Sequence, residues 1–91
     1  MKITFDPDAN DHLDRIFARI SSDNSNAAYE MMSRIEDHVA RLTMTGFEEM
    51  GRPGAVEGTH ELIEYPYIIV CRVSEKQDEI VILSIVLDAV G

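Results

Sequence analysis

Ninety-one residues carrying 17 acidic and 8 basic side chains give a formal net charge of −9 on a chain that is 45% apolar. That length suits one domain over 1–91, with no room for a second core, and the apolar share excludes disorder throughout. The acidity argues against a protein that grips nucleic acid unaided, because phosphate backbones are steered toward positive surfaces.

Six of the cations are arginines, at 15, 19, 34, 41, 52 and 72, so a local basic patch stays open. Cys71 is the only cysteine. No intrachain disulfide is therefore expected, and a reducing compartment suits the chain. Met1 leads into a polar amphipathic segment without a basic region followed by an apolar one, so no signal peptide is expected. The longest apolar run, 80–87, is far shorter than a membrane span. These features predict a soluble, cytoplasmic protein.

The first predicted element is a short strand at 1–5, with Ile3 and Phe5 on one side. Asp6-Pro7 then starts a helix: the aspartate is placed to cap free N–H groups, and proline at the first helical position loses nothing by lacking its own. Ala9, Leu13, Ile16, Phe17 and Ile20 follow at spacings of three and four and form one apolar face. Asp8, Asp11 and Asp14 lie toward the positive end of the helix dipole, Arg15 and Arg19 toward the negative end. The helix is expected to end near Ser21.

Ser22-Asp23-Asn24-Ser25 reads as a turn that supplies the next cap. A second helix follows at 26–42, with Ala28, Met31, Met32, Ile35, Val39 and Leu42 as its apolar stripe. So short a connection makes the two helices an antiparallel hairpin. Residues 51–58 form a Gly/Pro loop. Strands are expected at 59–64, 67–73 and 79–87, with Tyr65-Pro66 separating the first two and 74–78 making a hairpin turn between the last two. The strand at 80–87 is apolar on both alternating faces; the helices cover one, and the other suggests a second covered face and thus a partner. The order β-α-α-β-β-β predicts an α+β domain, a helical hairpin on an antiparallel sheet.

This order, with Gly51-Arg52-Pro53-Gly54 ahead of Gly58-Thr59-His60-Glu61-Leu62 and the strand Tyr67-Ile68-Ile69-Val70-Cys71-Arg72-Val73, resembles the ParE/RelE superfamily of toxins from type II toxin–antitoxin modules. The resemblance covers almost the whole chain. Two departures stand out: His60 replaces the family's usual arginine, and Asp88-Ala89-Val90-Gly91 replaces the histidine and basic residues expected after the last strand. RelE-type members cut mRNA on the ribosome with clustered Lys, Arg, Tyr or His side chains that activate a ribose hydroxyl and stabilise the phosphate. With only Lys2 and Lys76 as lysines, that cluster looks absent. The chain looks closer to ParE members, the plasmid-stabilisation toxins.

The resemblance implies a toxin that inhibits DNA gyrase by protein binding and is neutralised by a ParD-like antitoxin as a hetero-oligomer. It further implies no cofactor, no metal, and no direct nucleic-acid or membrane binding. A RelE-like endoribonuclease and an inactive toxin-fold scaffold are the alternatives. The residues it points to for antitoxin or target binding are Arg52, His60, Tyr67, Arg72, Asp88 and Val90. An antitoxin segment is expected either in the helical groove or added to a free sheet edge.

Each residue also has a plain structural reading. Arg52 reads as a cap on the second helix or as an anchor of the loop to a carboxylate, and Arg72 as a cross-strand partner of Glu79 or Glu61. Cys71 reads as a buried small hydrophobe, Tyr65 and Tyr67 as core-edge or interface residues, and Met31 and Met32 as core. Met44 and Met50 are candidates for an adaptable contact surface. His12 and His38 form no metal-binding spacing and read as surface residues.

Overall fold

The structure is a computed structural model and describes residues 2–43 and 51–88. Strand β1 is Lys2–Phe5, helix α1 Pro7–Ser21 and helix α2 Ser25–Arg41. Four further strands follow: β2 at Arg52–Pro53, β3 at Thr59–Glu64, β4 at Tyr67–Ser74 and β5 at Glu79–Leu87. Met44, Met50 and Val90 lie outside the described residues.

The strands form one sheet in the order β1-β5-β4-β3-β2. The expected antiparallel pairings hold for β3 through β5, whereas β1 lies parallel to β5, with Lys2 opposite Glu79 and Phe5 opposite Ile82. The sheet is thus mixed, because α1 and α2 carry the chain away after β1 and the hairpins bring it back so that β5 starts at the end where β1 starts. Residues 51–58 are not wholly loop: Arg52 and Pro53 pair with Glu61 and His60 as a two-residue edge strand. Gly58, at a φ of +83° that favours glycine, turns the chain into β3.

Both helices present the stripes their spacing predicts. Ala9, Ile16, Ala28, Met31, Ile35, Val39 and Leu42 are buried against Leu62, Ile69, Cys71, Ile80, Ile82 and Ile85 of the sheet. Ring packing between Phe17 and Tyr29, edge to face with centroids 5.1 Å apart, joins the two helices at the hairpin's closed end. Capping differs from expectation at one helix only: Asp6 occupies the N-cap of α1 without a side-chain capping bond, while Asn24, within the predicted turn, caps α2 by accepting from the Ala27 N–H at 3.1 Å.

Register places Tyr67, Ile69 and Cys71 of β4 on the helix side with Leu87, Ile85 and Ile82 of β5. A bulge between Val70 and Cys71 gives β5 one extra residue, Leu83. The opposite side, expected to be covered, carries no second layer among the described residues. There Ile63 and Val86 are 41% and 42% exposed, and Ile68 and Val70 are half-buried beside them.

Candidate partner-docking site

Of the six residues singled out from the sequence, the five that are described do not form one site. Arg52 lies on β2, and its Nε donates to Glu61 Oε1 at 3.0 Å, so it anchors the loop to a carboxylate. Glu61 is therefore taken by Arg52, and Arg72 is an exposed residue of β4 opposite Thr59 and Val81. Arg72 shares the open side of the sheet with Arg52, two registers along. His60 pairs with Cys71 and so faces the helices. Its carbonyl accepts from Cys71 Sγ at 3.6 Å.

Tyr67 and Asp88 belong to the other end of β4. Five residues of strand separate Tyr67 from Arg72, about 16 Å at the usual rise. Tyr67 is only 5% exposed, a core residue whose edge reaches a groove. Asp88 follows β5, and its N–H donates to the Pro66 carbonyl at 2.8 Å, fastening the end of β5 to the β3–β4 turn.

This groove, of roughly 160 Å³, is lined by His12, Arg15, Ile16 and Arg19 of α1 together with Tyr67, Ile85 and Leu87. Helical spacing explains the α1 contribution: residues 12, 15, 16 and 19 recur every three or four positions and share one face. The floor is apolar and the rim carries two guanidinium groups on a chain of net charge −9. Leu87, 48% exposed, extends the apolar surface at the end of β5. Such a groove fits an apolar side chain flanked by carboxylates.

A larger cavity, about 430 Å³, runs along α2 between Arg34, Asp37, Ala40, Arg41 and Glu64. Two of its charges, Arg34 and Glu64, are already paired with each other. Arg34 Nε donates to Glu64 Oε1 and His38 Nδ1 meets Glu64 Oε2, each at 2.9 Å. Burial raises the Glu64 carboxyl, but the bonds and charges of His38 and Arg34 outweigh it and hold the group below its ordinary value. This cluster locks α2 to the end of β3, and the smaller groove, with its apolar floor, is the better docking surface.

Sequence reading missed Arg15, Arg19 and Leu87 as a group, and it took His12 and His38 for surface residues. Both histidines are half-buried and hydrogen-bonded. The signal was present: His12 lies three residues after Ala9 and four before Ile16, and His38 three after Ile35 and four before Leu42, on the apolar stripes. Cys71 is fully buried, and burial pushes its thiol up to about 12, which makes it a packing residue and not a nucleophile. Among the described residues no group of three or more His, Cys, Asp or Glu side chains is arranged to hold a metal. No helix of the described residues is long and apolar enough to cross a membrane.

A helical hairpin on one side of a five-stranded mixed sheet is the fold shared by ParE- and RelE-type toxin structures. The family model for the ParE toxin of the type II toxin–antitoxin system parDE matches residues 3–87, and the chain belongs to that family. The chromosomal ParDE toxin–antitoxin system from P. aeruginosa contains a chain of similar structure, with a TM-score of 0.80 and 26% identity over 96% of this chain and 95% of that one. The RelBE2 toxin–antitoxin complex from Mycobacterium tuberculosis contains another, with a TM-score of 0.65 and 18% identity over 94% and 95% of the two chains, a likeness of fold. No curated protein matches the chain.

Proposed function

We propose that this ParE-family toxin acts by protein contact and not by cutting RNA, that its target is DNA gyrase, and that a ParD-like antitoxin neutralises it in the cytoplasm as a hetero-oligomer. The observation that carries this reading is the dispersal of the groups a nuclease would gather around one phosphate. Arg52 is bound to Glu61, Arg72 stands on the open side of the sheet, and His60 faces the helices. General acid–base chemistry needs its donors within hydrogen-bonding reach of one scissile bond, and these groups lie on two sides of the sheet. The groove of Arg15, Arg19, Tyr67 and Leu87 supplies instead what a protein partner needs, an apolar pocket with a charged rim.

The test is expression of the chain alone and together with the product of the adjacent reading frame. Growth arrest relieved by co-expression, with loss of gyrase supercoiling by the purified chain and intact ribosome-bound mRNA, is the expected result. Cleavage of ribosome-bound mRNA that disappears in His60→Ala or Arg72→Ala overturns it in favour of a nuclease.

A further inference from the structure

β1 accompanies β5 only as far as the pair Phe5 and Ile82, and the Asp6 N–H then donates to the Ile82 carbonyl at 2.9 Å as the chain turns into α1. Beyond Ile82, therefore, the β1 side of β5 carries no strand among the described residues. An open strand edge leaves backbone donors to be satisfied by something else. One of them is the N–H of Ile85, a buried residue opposite Ile69. It turns away from β4 and donates to His12 Nδ1 at 3.1 Å. The imidazole thus stands where the carbonyl of a longer β1 would be.

An amide N–H can only donate, so the acceptor Nδ1 carries no proton and the neutral ring holds its hydrogen on Nε2. Protonation at Nδ1 places two donors face to face, and the bond is lost. Around the ring stand Arg15 and Arg19 from α1 and Tyr67 from β4, while β5 contributes the apolar Ile85 and Leu87 and α2 contributes nothing to this cavity. Asp8 and Asp11 precede His12 on α1 by one turn and one residue, and Asp88 lies one residue past β5. We propose that His12 is a proton-operated latch between α1 and β5: the neutral imidazole closes the strand edge that β1 leaves open, and its protonation releases Ile85 and loosens α1 from the end of β5.

The latch goes beyond the toxin reading and does not depend on it, because its test requires no partner. Uniformly ¹⁵N-labelled protein is compared at about pH 7.5 and about pH 5.5, across the range in which imidazoles gain a proton. Long-range ¹H–¹⁵N spectra are expected to show the Nε2–H tautomer of His12 at the higher pH. Hydrogen exchange of the Ile85 amide, corrected for its intrinsic pH dependence, is expected to lose about three- to tenfold protection at the lower pH, the change that one net hydrogen bond supplies. The Ile69 amide, at the centre of the sheet, is expected to keep its protection. His12→Gln offers a carbonyl acceptor that does not titrate, so Ile85 should stay protected at both pH values; His12→Phe should leave it unprotected at both. An Nδ1–H tautomer at pH 7.5 overturns the proposal. So does Ile85 protection that is equal at both pH values in the unmutated chain, or a loss that Ile69 shares in equal measure.

Discussion

His38 and Glu64 face each other at 2.9 Å across the seam between α2 and β3, each with a side chain about one-seventh exposed or less, at 12% and 15%. An ionised carboxylate only accepts, so the Nδ1 of His38 donates, and Arg34 completes the grip from one turn earlier.

This pair makes stability depend on pH with a definite sign. The Glu64 carboxyl sits below its ordinary value of 4.5 in the folded chain, so the unfolded chain takes up the proton first as pH falls. Its contribution is fully present above about pH 4.5 and disappears as pH drops through the folded value. Glu64→Gln should therefore cost about 1 kcal/mol in urea unfolding near neutral pH. The gap between the two proteins should close below about pH 4.5. A gap that widens on acidification would contradict the assignment.

Gly54 is a site where one methyl group is expensive. Its N–H donates to the Thr59 carbonyl at 2.9 Å, and a Cβ built there would collide with the Thr59 hydroxyl, which is itself buried and bonded to the Val56 carbonyl. Gly54→Ala should destabilise the fold by about 1–3 kcal/mol in denaturant melts. Adding Thr59→Ala should return part of the loss by removing the obstructing oxygen. Additive losses in the double variant would show that the collision is not the cause.

Cys71 should be silent in the native protein. Its sulfur is buried and its thiol stays protonated up to about 12, so a thiol reagent finds almost no thiolate at neutral pH. The expected result is no labelling by an aromatic disulfide reagent until urea unfolds the chain, followed by one equivalent.

The arginines should separate stability from recognition. Arg52 is 58% exposed, so breaking its pair with Glu61 by Arg52→Ala should change stability by less than about 1 kcal/mol. Arg15→Gln combined with Arg19→Gln should change stability by no more than about 1 kcal/mol. It should weaken capture of the co-expressed antitoxin by about tenfold or more and flatten the salt dependence of that capture, measured by calorimetry at two ionic strengths.

Local pattern carried much of this structure. The three-and-four spacing gave α1 its range almost to the residue, and the β-branched runs gave β3 and β5, because those signals reside within a single element. What escaped were relations between distant residues. Nothing in Lys2–Phe5 indicates that it runs parallel to β5, and nothing in the neighbourhood of Arg34 indicates that Glu64 will meet it. The candidate site split for the same reason: Arg52, His60 and Arg72 are grouped by sequence motif, yet strand alternation sends His60 to one side and the arginines to the other. Of the five described candidates only Tyr67 lines the groove, and most of its partners there come from a helix more than forty residues away.

The parallel pairing of β1 has a consequence for how the chain is made. Lys2 and Glu79 are partners separated by 79 − 2 = 77 positions, and among the described residues β1 has no other neighbour in the sheet. During translation the first strand therefore emerges with nothing to pair with, and the helices follow without the strand that α1 packs on. Only when β5 leaves the ribosome does it join β1, β4 and α1 at once. A message truncated before that strand yields a chain without its keystone, so the fold closes only once β5 has been made.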